Sequence, residues 1–194
     1  MEAQLETVPQ RQPMKETYCG ATLANIDELK RLVSMDVKLT GMLLGGAVSV
    51  EQYDSVYSGY ENRFMNALEL KDMHLKRFNE DLGEYRRRLR MVQEEKELLE
   101  ARREIGDIQE DSYKLKRRAV DWDIARLQAG VDRNRRCIGA IESLPGQVDP
   151  GDVSAIEAYM GDGMAAVKDA DLDGETKKVL RARIKRLAQL AQVA

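Results

Sequence analysis

The sequence predicts an all-α protein: an elongated antiparallel helical coiled coil with one long central helix, plus a small C-terminal helical segment. Three observations carry this. Charged residues make up 34% of the 194 residues and aromatics only 5%, which is poor material for a thick core and ordinary for long helices with narrow apolar seams. Apolar residues from Tyr53 to Leu99 recur mostly by alternating steps of three and four, the spacing of a coiled-coil seam. Two stretches, Leu43 to Phe64 and Glu104 to Ile124, repeat one pattern at a constant offset of 60: Gly46 matches Gly106, Val48 matches Ile108 and Tyr53 matches Tyr113.

Residues 1–24 are polar, carry Pro9 and Pro13 and show no periodicity, so they read as a disordered arm. The rod is expected over 25–145. Asn25 is placed to cap a helix from Ile26, with Glu28 reaching back. Its apolar face is Leu29, Leu32, Val33, Leu39, Met42 and Leu43, and Gly45-Gly46 ends it. Ser49 to Gln52 forms a capping box that opens a very long helix reaching about Ile105. The seam of that helix slips near Lys71, a stutter that relaxes supercoiling. Gly106 stops it, and Glu110 and Asp111 sit at the positive end of the next helix. The third seam reads Val120, Ile124, Leu127, Val131, Asn134, Ile138 and Ile141, with Leu144-Pro145-Gly146 as the stop. Asn134 either fixes register from within the seam or rotates out to solvent.

The 60-residue offset then has a physical meaning. Gly46 with Tyr53, and Gly106 with Tyr113, are structural hooks that reverse the chain. Folding about them lays 26–44 on 51–69 and 111–143 on 72–104, the two covers meeting near Lys71. Glu97, Glu100 and Glu104 then come opposite Lys114, Lys116, Arg117 and Arg118, pairs that select register more than they stabilise. A separate helical region is expected over 146–194. In it Asp149-Pro150 starts one helix, Gly161-Asp162-Gly163 breaks it, and Asp173 caps a last one.

Two hooks of the form Val/Ile-x-x-Asp/Glu-x-Tyr, at Val48–Tyr53 and Ile108–Tyr113, flanking a long charged helix, resemble CdvA, the archaeal cell-division family with a central coiled coil. The likeness covers roughly 26–144. It implies a structural protein that associates with membrane or polymers and recruits ESCRT-III-type partners. The family's N-terminal β-barrel finds no counterpart in the short polar stretch 1–25, and the helical end "LAQLAQVA" has no strand-forming tail.

Few residues are arranged for chemistry. Asp169 to Leu180 matches the first half of a calcium loop, but Leu180 stands where the closing carboxylate belongs, so the segment reads as an acidic turn and no metal or cofactor is expected. No nucleophile–base pair or glycine-rich phosphate loop appears, and an enzyme is not expected. His74 lies beside the seam without a second ligand, and Trp122 is expected as a packing anchor where the rod meets the C-terminal region. The last helix sets Lys177, Lys178, Arg181, Lys185 and Arg186 around an apolar stripe, which suits contact with an anionic membrane, or with nucleic acid, as well as packing on the rod. With a net charge of −3 and no aromatic platforms among its basic runs, nucleic acid is the less favoured partner. Cys19 and Cys137 read as isolated and point to a reducing compartment. No signal peptide or apolar span is evident, so a cytoplasmic homo-oligomer is expected, at most peripheral to a membrane.

Overall fold

The computed structural model describes residues 17–193. The described chain is all-α, with no strand: α1 (Thr17–Leu44), α2 (Val50–Glu104), α3 (Glu110–Glu142), a 3-10 turn (Pro145–Gln147), α4 (Pro150–Asp169) and α5 (Gly174–Ala191). Residues 1–16 of the expected arm lie outside the described residues. At 1.5 Å per residue, the 55 residues of α2 span about 80 Å.

Both reversals are built alike. Gly46 N–H donates to Leu43 O (3.1 Å) and Ala47 N–H to Met42 O (2.8 Å); Gly106 N–H donates to Arg103 O (3.0 Å) and Asp107 N–H to Arg102 O (2.9 Å). This paired closure of a helix end needs a left-handed residue, and Gly46 and Gly106 supply it at φ +69° and +77°. Seven residues on, the Tyr53 and Tyr113 amides donate to Ser49 O and Gln109 O, each at 2.9 Å, and both rings are buried. The caps differ. Ser49 and Gln52 complete a capping box, whereas Gln109 makes no side-chain cap bond and Glu110 and Asp111 supply negative charge to the first turn.

α1 runs antiparallel to the first half of α2, with Asn25 Nδ2 donating to Ala67 O at 2.9 Å and Glu28 paired with Arg63. α3 runs antiparallel to the second half: Lys96 meets Asp121 at 3.0 Å and Glu100 meets Arg117. The expected charge register thus holds at Glu100 and Arg117. Asn134 is in the seam, 1% exposed, with Nδ2 donating to Gly130 O at 3.1 Å. Gly130 receives the Tyr85 ring: a Cβ there would come within 2.6 Å of it.

Five expectations are corrected. α1 begins at Thr17, ahead of Asn25, so Asn25 ties α1 to α2 from mid-helix instead of capping. Because α1 is longer, the two covers of α2 overlap. Thr22 Oγ1 lies 3.1 Å from His74 Nδ1, and Cys19 is disulfide-bonded to Cys137 across 118 residues, Cα to Cα 6.1 Å. The cysteines are therefore partners, and the reading of isolated thiols in a reducing compartment loses its basis. α4 is continuous through Gly161-Asp162-Gly163, the irregularity falling at Met164, φ +63°. Trp122 is 64% exposed: with Val120 and Ile124 filling the seam, the position between them points away from it.

α4 and α5 share one core with α1. Tyr159 of α4 donates to Val37 O at 3.2 Å across Gly41. Ile156, Val167, Leu180, Ile184 and Leu187 pack into the same buried cluster as Leu29 and Leu32. Asp149 and Asp173 cap α4 and α5 as the sequence predicts.

Two outcomes follow. Reducing Cys19–Cys137 reopens a loop of 118 residues, and the urea unfolding free energy is expected to fall by about 2–5 kcal/mol; a Cys19→Ser/Cys137→Ser variant should lose all sensitivity to reductant. Gly130→Ala is expected to destabilise by about 1 kcal/mol, the overlap with Tyr85 outweighing the gain in helix propensity. In a Tyr85→Leu background the same substitution should stabilise, and unchanged sign there would show that the Tyr85 contact is not the cause.

Candidate functional site: a buried polar cluster and the basic face of α5

Tyr53, Tyr57 and Tyr60 recur at i, i+4 and i+7 on α2, which stacks them on one face. Tyr53 and Tyr57 lie parallel with centroids 6.0 Å apart, and Tyr57 and Tyr60 meet edge to face at 5.1 Å. Asp36 and Thr40, one turn apart on α1, are buried with them. α5 adds Arg183, whose guanidinium carbon sits 3.4 Å from the Tyr57 ring centroid and 5.2 Å from that of Tyr53. Its Nη1 approaches Asp54 at 3.9 Å. A cavity of about 480 Å³ opens beside this cluster, lined by Tyr53, Asp54, Asp173, Thr176, Val179 and Arg183, among others.

The cluster is short of partners. Asp36 Oδ1, Thr40 Oγ1, Arg183 Nη1 and the three tyrosine hydroxyls are buried without an aligned hydrogen bond among the described residues, a costly arrangement. Burial pushes the Asp36 carboxyl up to about 6, while the Arg183 and Arg186 charges and the nearby Thr40 and Tyr60 hydroxyls pull the other way. Burial, helped by the Asp36 charge, also raises the phenols, Tyr57 to about 12 and Tyr53 and Tyr60 likewise upward. Each phenol is thus held un-ionised around neutral pH.

The residues singled out from the sequence scatter. Gly46, Tyr53, Gly106 and Tyr113 build the two hooks, and Tyr53 also belongs to the polar cluster. In α5, Lys177 Nζ donates to Lys168 O at 2.7 Å, closing the end of α4, and Arg186 reaches Met65 Sδ on α2 at 3.3 Å. Arg181 is half-buried, and Lys178 and Lys185 are exposed. The apolar stripe of Leu180, Ile184, Leu187 and Ala191 faces the core, so α5 does not offer an apolar face to a bilayer. Among the described residues no helix is long and apolar enough to cross a membrane. The sequence does not mark Asp36, Thr40, Tyr57, Tyr60 and Arg183 as a site. The available signal was Asp36, the one acid at seam spacing between Val33 and Thr40.

No family model, curated protein or solved structure matches this chain.

Asp36 sets a pH dependence. Its folded pKa of about 6 lies above the ordinary 3.8, so the fold favours the protonated form. The Asp36 contribution to stability is then greatest below about pH 4, falls as pH rises to about 6, and is flat above, its total loss being about 3 kcal/mol. Asp36→Asn is expected to remove this slope and to be the more stable form at pH 7.5. Denaturant melts of both proteins from pH 4 to 8 check it, and parallel curves would refute the assignment.

Proposed function

We propose that the chain is a non-enzymatic structural scaffold that works by self-association and partner binding, in the manner of the CdvA coiled coil it resembles. The observation that carries this reading is the helical hairpin formed by residues 86–126 of α2 and α3. Its inward seam is closed by Leu99, Tyr113 and Val120, the only buried residues in that stretch. Its outside is charged yet carries large apolar side chains in the open: Met91 67%, Leu98 62% and Ile105 77% exposed along α2 and its end, and Leu115 73% and Trp122 64% exposed on α3. Exposed apolar groups at a regular spacing suit an interaction surface. The core formed by α1, α4 and α5 with the adjoining parts of α2 and α3, by contrast, buries most of its large apolar groups. The basic residues of α5 give weaker support to membrane or nucleic-acid docking, because its apolar face is turned inward.

On this reading the particle is elongated and oligomeric, peripheral to a membrane at most, with an ESCRT-III-type protein as the partner the resemblance implies. Small-angle scattering is expected to give a maximum dimension above about 80 Å. The radius of gyration should lie well above the roughly 16 Å of a compact chain of this length, with a mass above one copy. A compact monomer would overturn the scaffold reading. Affinity capture from the native cell separately tests the partner: recovery of unrelated proteins without an ESCRT-III-type subunit would remove the family element.

A further inference from the structure

Met91, Leu98 and the C-cap Ile105 are spaced by seven, so they form one stripe along the last third of α2 and its end. Each stands beside the inward seam, not in it, since Val92 and Leu99 are the adjacent positions turned toward α3. At i+3 and i+4 between the stripe residues stand Glu94, Glu95, Ala101 and Arg102, the same-face neighbours on a helix. All of these are exposed. The stripe has a centre at Leu98, with acid on its N-terminal side and arginine on its C-terminal side.

We infer that this stripe is an antiparallel homodimer interface with its two-fold axis at Leu98, an assignment that rests on the scaffold reading above. An isologous contact must be self-complementary, which limits the registers. With Leu98 facing the partner's Leu98, Met91 faces the partner's Ile105 and Glu94 faces the partner's Arg102, twice by symmetry. Glu95 faces the partner's Ala101. Sliding the copies so that Met91 faces the partner's Leu98 sets Glu94 against the partner's Glu95 and Arg87 against the partner's Arg102, both like-charged. Sliding the other way, with Leu98 on the partner's Ile105, carries Met91 past the end of the partner's α2. A parallel in-register pair sets Glu94 against the partner's Glu94 and Arg102 against the partner's Arg102. Of these registers only the first faces all three apolar residues with apolar partners and Glu94 with a base; like-charge contacts act against the first slide and the parallel pair, and lost overlap against the second slide. Arg102 already holds Asp107 at the second hook, 2.6 Å away; its guanidinium has further N–H groups for a second carboxylate.

A contact of one helix face on another is small, so the dimer is expected to dissociate at concentrations on the order of 10 μM. Sedimentation equilibrium of the full chain should show the mass rising from 22.0 kDa toward twice that value across this range. Leu98→Glu is expected to weaken association at least tenfold; Leu98 is exposed, and an unchanged thermal midpoint will show that the variant folds. Glu94→Arg and Arg102→Glu should each weaken it, and the double exchange should restore the wild-type constant. A Leu98→Glu protein that associates like the wild type, or a double exchange no better than the single ones, overturns this surface while leaving self-association standing. A wild-type chain that stays monomeric at every concentration overturns the scaffold reading as well.

Discussion

The structure depends on one constraint: α2 carries a continuous apolar stripe along a helix far longer than either neighbour. A helix of 55 residues cannot be covered by a single partner of ordinary length, and an uncovered stripe would leave apolar area in water at about 25 cal/mol per Å². The chain solves this by reversing at both ends of α2 and laying α1 and α3 on it in succession. The two closures at Gly46 and Gly106 are therefore as far apart as α2 is long. The junction between the covers is the place neither reversal controls, and there α1 overruns α3. Asn25, Thr22 with His74, and the Cys19–Cys137 bond all act at that overlap.

Around the first half of α2 the problem changes from covering a stripe to filling a volume. α4 and α5 close a multi-helix core there, and its centre is polar. Arg183 lies against Tyr57 and near Tyr53 and Asp54, with Asp36 behind them. Such a cluster costs stability compared with an apolar core of the same shape, since six of its polar atoms lack aligned partners. What it supplies is geometry. The Arg183–Tyr57 contact, the reach of Arg186 to Met65 and the Lys177 closure of α4 all depend on one rotation of α5, which a uniform Leu/Ile/Ala face would not single out.

The backbone plan was legible because it rests on local signals. Glycine at a helix end, Ser49 with Gln52, Asp149 before Pro150 and Asp173 before Gly174 each act within four residues, and the seam period fixes the pairing register. What was not legible depends on contacts distant in sequence. α1 extends to Thr17 because residues 19–25 gain neighbours on α2 and α3, which no local pattern announces; the same contacts bring Cys19 to Cys137. Trp122 is exposed because its phase on α3 turns it away from the seam. The polar cluster joins α1, α2 and α5, and in the sequence its tyrosines read as seam and its arginine as surface charge. Asp36 alone broke the pattern, an acid where the phase required an apolar residue.

The same phase argument separates the two parts of α2 by purpose. In its first half, positions turned away from α1 meet α5, as Met65 does with Arg186, so the helix is enclosed from more than one side. In its last third only α3 is present, and a two-helix hairpin closes one face of each helix. A sequence under no demand beyond folding would fill the remaining positions with charge, which costs nothing there and keeps the surface patch-free. Arg86 to Arg90 and Glu94 to Glu97 largely follow that rule. Met91, Leu98 and Ile105 break it at a fixed interval of seven, and a regular interval is what separates an apolar stripe from the scattered apolar residues that every surface carries. The hairpin's own fold has no use for that regularity; a second helix laid along it does.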